Sequence, residues 1–298
     1  MIRSFQEILE KSKNTLNKIS IAVAEDKNVL ETVKRAKEEK ISDFILVGNK
    51  EKIINIAKEI NLDLDSLEII NEEDHEEATK KAVELVKLKK ANMLMKGLIE
   101  TKTLLKAILN NEYGLRGSGI ISHVGVFEVE SLDRLIIVTD AAFNIEPSLS
   151  DKIHIINNAV KVSKAFEIEK PKVAVICAVE VVNEKMKATL EAASLSKMND
   201  RGQIKGCLID GPLALDNAIS LESAKHKNIV SKVAGQADIL LMPNIEAGNV
   251  MYKTLTYMTN SKCGGILVGT SAPVIITSRS DSSETKLYSI ALASLISR

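Results

Sequence analysis

SRSDSSETK (278–286) stands between an apolar run of strand length, PVIIT (273–277), and a helix that opens near Ser283. Ser278 and Arg279 at such a junction suit a bound anion. A hydroxyl donates one directed hydrogen bond, a guanidinium donates two in parallel, and a helix N-terminus adds free N–H groups. Asp281 and Glu284 follow within a few residues. Ser282 or Ser283 with Glu284 also reads as an ordinary helix start.

Four more strand ends carry small, hydroxyl or amide residues with an occasional cation. After MLMKG (93–97) come Glu100, Thr101 and Lys106; after RLIIVTD (134–140) come Ala141, Asn144 and Pro147. After CLID (207–210) comes GPLALDNA (211–218), and after ILLM (239–242) comes PNIEAGN (243–249). Such sets suit phosphate and thioester oxygens. Each has a plainer reading beside it: Asp140 and Asp210 as caps, Gly248-Asn249 as packing, Lys106 as a solvated lysine. No Cys or His lies at these ends, so a covalent thiol mechanism is not suggested, and no carboxylate cluster suggests a catalytic metal ion.

The elements that must position these residues alternate almost throughout. ISIAVA (19–24), FILVG (44–48), LEII (67–70) and MLMKG are followed by helical patterns near 27–39, 50–60, 73–90 and 101–110. That order indicates a parallel sheet covered by helices, whose ligands bind beyond the carboxyl ends of the strands. After Gly114 the pattern changes: IISHVGVFEV (120–129) and RLIIVTD can pair as an antiparallel hairpin. Alternation then resumes, with helices near 151–166, 184–200, 213–226 and 246–259 and strands VAVIC (173–177), CLID, ILLM, GILVG (265–269) and PVIIT.

The 298 residues suffice for two α/β domains, and 45% hydrophobic with 27% charged residues is a globular composition. Forty basic residues balance forty acidic ones, so no net field favours nucleic acid or a membrane surface. Tryptophan is absent and aromatics are only 3%, which argues against base-stacking platforms. Cys177, Cys207 and Cys263 show no C-x-x-C spacing and read as reduced core thiols of a cytoplasmic protein. The four histidines form no H-E-x-x-H set, so a zinc site has little support. The opening MIRSFQEILEKSK is a charged amphipathic helix without the apolar core of a signal peptide, and no run of eighteen apolar residues occurs.

At these same strand ends the chain resembles the phosphate acetyl/butyryltransferase family. The matching stretches are LLKAILNNEYGLR (104–116), TDAAFNIEP (139–147), SLSKMNDRGQIKG (194–206), DGPLALDNAIS (210–220), VAGQADILLMPNIEAGNVMYK (233–253) and TSRSDSSETKLYSIALA (277–293). The resemblance is strong over residues 90–298 and weak before them. D-G-P-L followed by P-x-x-x-A-G-N-x-x-Y-K is its specific signature, and the forms of 194–206 and 278–293 suggest the butyryl branch.

The resemblance implies two α/β domains with mainly parallel sheets, of the isocitrate/isopropylmalate dehydrogenase-like type, with the active site in the cleft. The expected domains are 1–118 with 270–298, and 119–269, the latter making a homodimer or a multiple of dimers. It implies reversible transfer of a short acyl group, butanoyl favoured, between coenzyme A and inorganic phosphate, through a ternary complex without an acyl-enzyme. Coenzyme A is then a substrate, and no permanently bound cofactor is expected. Ser278 and Arg279 match the family's catalytic pair, with Arg279 on the acyl-phosphate charge and Ser278 donating to the thiol or carbonyl oxygen. The family's thiol base falls here at Thr285; Asp281 is preferred as its substitute, with Glu284 as the other choice. Lys106 stands where relatives carry a phosphate-binding Arg and lacks its fork. Lys106, Arg116, Asn144 and Asn249 are the expected substrate-binding residues. The rival readings are an acetyl-type enzyme with broader chain use, a metal- and nicotinamide-dependent dehydrogenase, and a non-catalytic acyl-CoA-binding relative.

Overall fold

A computed structural model describes residues 1–117, 119–277 and 281–297. The chain opens with α1 (Phe5–Ser12), β1 (Lys18–Ala22), α2 (Lys27–Glu38), β2 (Asp43–Gly48), α3 (Lys50–Glu59) and β3 (Glu68–Asn71). It continues with α4 (His75–Lys87), β4 (Met93–Lys96), α5 (Thr101–Ile108), β5 (Ser122–Glu128), β6 (Leu135–Thr139), α6 (Leu149–Ala165) and β7 (Lys172–Ile176). Then come α7 (Lys187–Asp200), β8 (Leu208–Leu213), α8 (Leu215–Ile219), α9 (Leu221–His226), β9 (Ile239–Leu241) and α10 (Ile245–Met258). β10 (Lys262–Val268), β11 (Val274–Ile275) and α11 (Ser283–Ile296) close it.

Two compact units divide these elements: Phe5–Gly119 with Gly264–Arg298, and Met1–Ser4 with Ile120–Cys263. The chain enters the second unit at Ile120 and leaves it at Cys263. Local contacts explain this. Gly265 N donates to Ser289 Oγ at 3.0 Å, so the strand from Gly264 onward is fixed on α11. The first four residues belong with the second unit because Ile2 N donates to the Phe166 carbonyl at 2.9 Å.

In the first unit the strands lie in the order β3-β2-β1-β4-β11-β10, parallel except for β10 against β11. β1, β2 and β4 are apolar and buried on both faces, as a sheet covered by helices on each side requires. α11 packs on α1 and α2, while α4 packs on β1, β2, β4 and α5. Side chains cap the helices that leave the strand ends: Asp26 Oδ1 accepts from Val29 N at 3.0 Å, and Asn49 Oδ1 from Lys52 N at 3.0 Å. Asp74 Oδ1 accepts from Glu76 N and Glu77 N, both at 2.9 Å.

The second unit orders its strands β5-β6-β9-β7-β8. The hairpin expected from 120–129 and 134–140 is formed by β5 and β6, antiparallel with Phe127 opposite Ile136, and the other pairings are parallel. One expected helix, 213–226, is not continuous. β8 runs on through Gly211 and Pro212 to Leu213, and the helix breaks at Ser220, whose extended backbone (φ −113°, ψ 118°) ends α8 and caps α9. Ser220 Oγ accepts from Ser223 N at 3.3 Å, a local bond that competes with helix continuation. Among the described residues no helix is long and apolar enough to cross a membrane.

Candidate active site

Asp140 follows β6 and gathers β5 and the turn after β6 around it. Its carboxylate is buried and takes five hydrogen bonds. Oδ1 accepts from Ala142 N at 2.9 Å and Phe143 N at 3.0 Å. Oδ2 accepts from His123 N and Asn144 N, both at 3.2 Å, and from Asn144 Nδ2 at 2.6 Å. The turn 141–144 is thus wound around one acid, so the capping reading of Asp140 describes its contacts. Asn144 Nδ2 also donates to the Ile121 carbonyl at 2.9 Å, leaving its Oδ1 as what the side chain can offer a ligand.

α10 carries the A-G-N-x-x-Y-K block onto the same turn. A Cβ at Gly248 would stand 2.3 Å from the Asp140 carbonyl oxygen, so only glycine lets the helix start approach this closely. Asn249 Nδ2 donates to the Ala141 carbonyl at 3.2 Å. One turn later Tyr252 stands edge-on to Phe127 at 5.0 Å and to His123 at 5.4 Å between ring centroids. Its ring also covers Gly125, where a Cβ would meet Tyr252 at 2.8 Å. The spacing of this block is therefore a docking pattern, with three of its side chains or gaps fitting β5 and the β6 turn. Asn144 and Asn249 are brought together there.

Lys106 and Arg116 lie in the first unit. Lys106 is exposed in the last turn of α5. Arg116 Nε donates to the Leu109 carbonyl at 2.6 Å, closing the end of α5, and its backbone bridges to Thr270. Ser278 and Arg279 lie outside the described residues. The elements on either side are well defined: β11 leads in through buried Thr277, and Ser282 Oγ accepts from Thr285 N at 3.1 Å to start α11. Asp281 is half-buried immediately before that cap. Glu284, the other carboxylate, accepts from the Tyr288 hydroxyl at 2.8 Å. Tyr288 in turn stacks on Phe5 at 4.4 Å.

Two side chains at these strand ends escaped the sequence reading. Lys96, the last residue of β4, is 8% exposed, and Lys286, in the first turns of α11, is 3% exposed. The signal was present in MLMK, a cation ending a strand whose other residues are all apolar. Beside Lys96 the backbone is crowded, because a Cβ at Gly97 would stand 2.1 Å from the Val23 carbonyl oxygen. Val23 itself has φ 58°, a strained value for a β-branched residue.

The cysteines do not supply a nucleophile. All three are buried and none is in a disulfide. Burial pushes the Cys177 thiol up to about 11, against a smaller lowering by Lys152. Burial likewise pushes Cys207 up to about 11, with Lys164 opposing it. At pH 8 the thiolate fraction of each is on the order of 10⁻³. Iodoacetamide is therefore expected to leave Cys177 and Cys207 unlabelled in the folded protein and to label them after unfolding, as read by intact mass. Rapid labelling of either in the folded state would contradict these environments. Among the described residues no group of His, Cys, Asp or Glu is placed to hold a metal ion.

The family model described as phosphate acetyl/butaryl transferase matches residues 4–80 and 72–294. The chain is 60% identical over 297 residues to a phosphate butyryltransferase of Clostridium acetobutylicum, covering 99% of each protein. It is 44% identical over 290 residues to a phosphate acetyltransferase of Thermotoga maritima, covering 97% of this chain and 98% of that one. Among solved structures it is similar to a branched-chain phosphotransacylase from Enterococcus faecalis V583, with TM-score 0.84 and 34% identity over 95% of this chain and 99% of that one.

Proposed function

The chain belongs to the phosphate acetyl/butaryl transferase family, and from that premise we propose that it transfers a butanoyl group between coenzyme A and inorganic phosphate. Full-length identity of 60% to a phosphate butyryltransferase, against 44% to a phosphate acetyltransferase, carries the chain-length assignment. Butanoyl-CoA and phosphate give butanoyl phosphate and coenzyme A. A phosphate oxygen forms its bond to the thioester carbon as the carbon–sulfur bond breaks, and the sulfur leaves as thiolate to be protonated. The enzyme must hold the two reactants in contact and stabilise the developing oxyanion.

In our reading the segment entered from β11 performs this step. Arg279 offers its fork to the phosphate and oxyanion charge, and Ser278 donates to the carbonyl oxygen or sulfur. Asp281 is the proton acceptor in the reverse direction. Its position closer in the chain to Ser278 and Arg279 favours it over Glu284. Lys106, Arg116, Asn144 and Asn249 complete the substrate-binding set, Asn144 through its Oδ1. Coenzyme A acts as a substrate, with no bound cofactor. The buried thiols, none of them in a disulfide, support a cytoplasmic setting. Exposed Val250, Tyr257 and Met258 on α10 support a homodimer made through the second unit.

A panel of acyl-CoA substrates of two to five carbons with saturating phosphate tests the assignment. The expected optimum of kcat/KM is at four carbons, with about thirtyfold or more loss at two carbons, since two methylenes each contribute roughly 1–3 kcal/mol in an apolar pocket. An optimum at two carbons would replace butanoyl by acetyl and leave the reaction standing. Tight coenzyme A binding without phosphate-dependent turnover would select the non-catalytic reading.

A further inference from the structure

The contacts of Asn144 fix its side chain as an acceptor. Nδ2 donates to Asp140 Oδ2 at 2.6 Å and to the Ile121 carbonyl at 2.9 Å, which uses both hydrogens of the amide. Both neighbours are acceptors, so the amide cannot turn its oxygen toward them. The backbone is held as well, because Asn144 N donates to Asp140 Oδ2 at 3.2 Å. Asn144 is half-buried, and among the described residues nothing donates to its Oδ1.

That leaves one kind of ligand group, since an amide oxygen can bind only a donor. The thioester offers acceptors, its carbonyl oxygen and its sulfur, and inorganic phosphate offers mainly charged acceptor oxygens. Phosphate also has the wrong charge for a turn wound around the Asp140 carboxylate. Coenzyme A is the substrate rich in neutral donors: amide N–H and hydroxyl groups on its pantetheine arm, hydroxyl and amino groups on its nucleotide. The next side chain separates these. Ile145 is 70% exposed, and its carbonyl accepts from Ile245 N at 2.9 Å, so the start of α10 fixes its backbone. Glu146 after it pairs with Lys187 at 3.2 Å. An acceptor oxygen followed by an apolar side chain on a fixed backbone suits an amide set in an alkyl chain better than a sugar or a base.

We propose that Asn144 Oδ1 accepts a hydrogen bond from an amide N–H of the pantetheine arm of coenzyme A, with Ile145 packed on the alkyl part of that arm. The proposal rests on the reading of Asn144 as a substrate-binding residue of a butanoyl transferase, and it names the substrate that this residue holds.

S-butanoyl-pantetheine, which lacks the nucleotide, and its analogue methylated on both amide nitrogens are the probes. With saturating phosphate, methylation is expected to lower kcat/KM of wild type by about three- to tenfold. In Asn144→Ala, which has no oxygen to accept, the two probes should differ by less than about twofold. Comparing two substrates on one protein cancels any stability that the variant loses with its bonds to Asp140 and Ile121. Ile145→Ser alters an exposed side chain, so its Tm should match wild type. Its KM for butanoyl-CoA should rise about threefold or more, with KM for phosphate within about twofold. Equal methylation effects in wild type and Asn144→Ala overturn the proposal. So does a raised phosphate KM with an unchanged butanoyl-CoA KM in Asn144→Ala, which hands the residue to phosphate. A loss on butanoyl-CoA with none on S-butanoyl-pantetheine also overturns it, and hands the residue to the nucleotide. Failure of the butanoyl reading is seen separately, as absent wild-type turnover or an optimum at another chain length. The methylation effect is then read on the best acyl chain, or as a raised Kd for coenzyme A in Asn144→Ala.

Discussion

Replacing Arg279 by Ala is expected to lower kcat for butanoyl transfer by on the order of 10²–10³, with the fold intact. The reaction moves negative charge from phosphate onto the thioester oxygen and then onto sulfur. A fixed guanidinium at that charge acts most in the transition state, so kcat and kcat/KM should fall together rather than KM alone rise. Arg279→Lys retains the charge and loses the fork, and its activity should lie between the two. Release of coenzyme A followed by loss of thioester absorbance measures turnover, and circular dichroism with Tm reports the fold. Near-normal kcat in the Ala variant would remove Arg279 from the mechanism. Arg279 should therefore show its effect at saturating phosphate.

The layout of the sheet was legible because its signals are local. FILVG and MLMK are apolar runs of strand length, and Asp26, Asn49 and Asp74 start the helices that follow the strands. The β5–β6 hairpin was legible from two such runs joined by a short polar turn. The return of the chain at Gly264 was not, because it depends on a contact between Gly265 and Ser289, twenty-four residues apart. Nor was the break at Ser220, where a single side-chain bond to Ser223 competes with helix continuation.

The candidate site was legible in residue type and not in residue use. Asn144 and Asn249 were read as ligand contacts, and the structure shows their amide groups bonded to Asp140, Ile121 and Ala141. Asn and Asp at strand ends serve turns and ligands with the same atoms, so sequence alone does not separate the two uses. Lys96 and Lys286 went unread for the opposite reason. Burial decides their meaning, and for Lys286 it comes with α11 packing on α1 and α2, more than two hundred residues earlier in the chain.

Asp140→Ala is expected to destabilise the protein by roughly 3–5 kcal/mol, the largest stability effect among the site residues. The carboxylate gathers four backbone N–H groups and the Asn144 amide, and a methyl group satisfies none of them. Each orphaned buried donor costs about 1–3 kcal/mol, but the turn can relax and admit water, so the sum is not reached. Asp140→Asn tests the electrostatic part. It preserves shape, yet one oxygen becomes an N–H₂ facing N–H donors, so its loss should approach that of Ala rather than that of wild type. Asp74→Ala, which removes an exposed helix cap, should lose only about 1 kcal/mol. Urea denaturation at constant m-value gives the three numbers. The Gly248 contact then carries the effect further, because α10 begins against the Asp140 carbonyl and its Asn249 holds the next residue of the turn. Activity of Asp140→Asn should therefore fall at temperatures where the protein is still folded. A variant within about 1 kcal/mol of wild type and fully active would mean that the turn keeps its shape without the acid, and that Gly248 and Asn249 alone hold it.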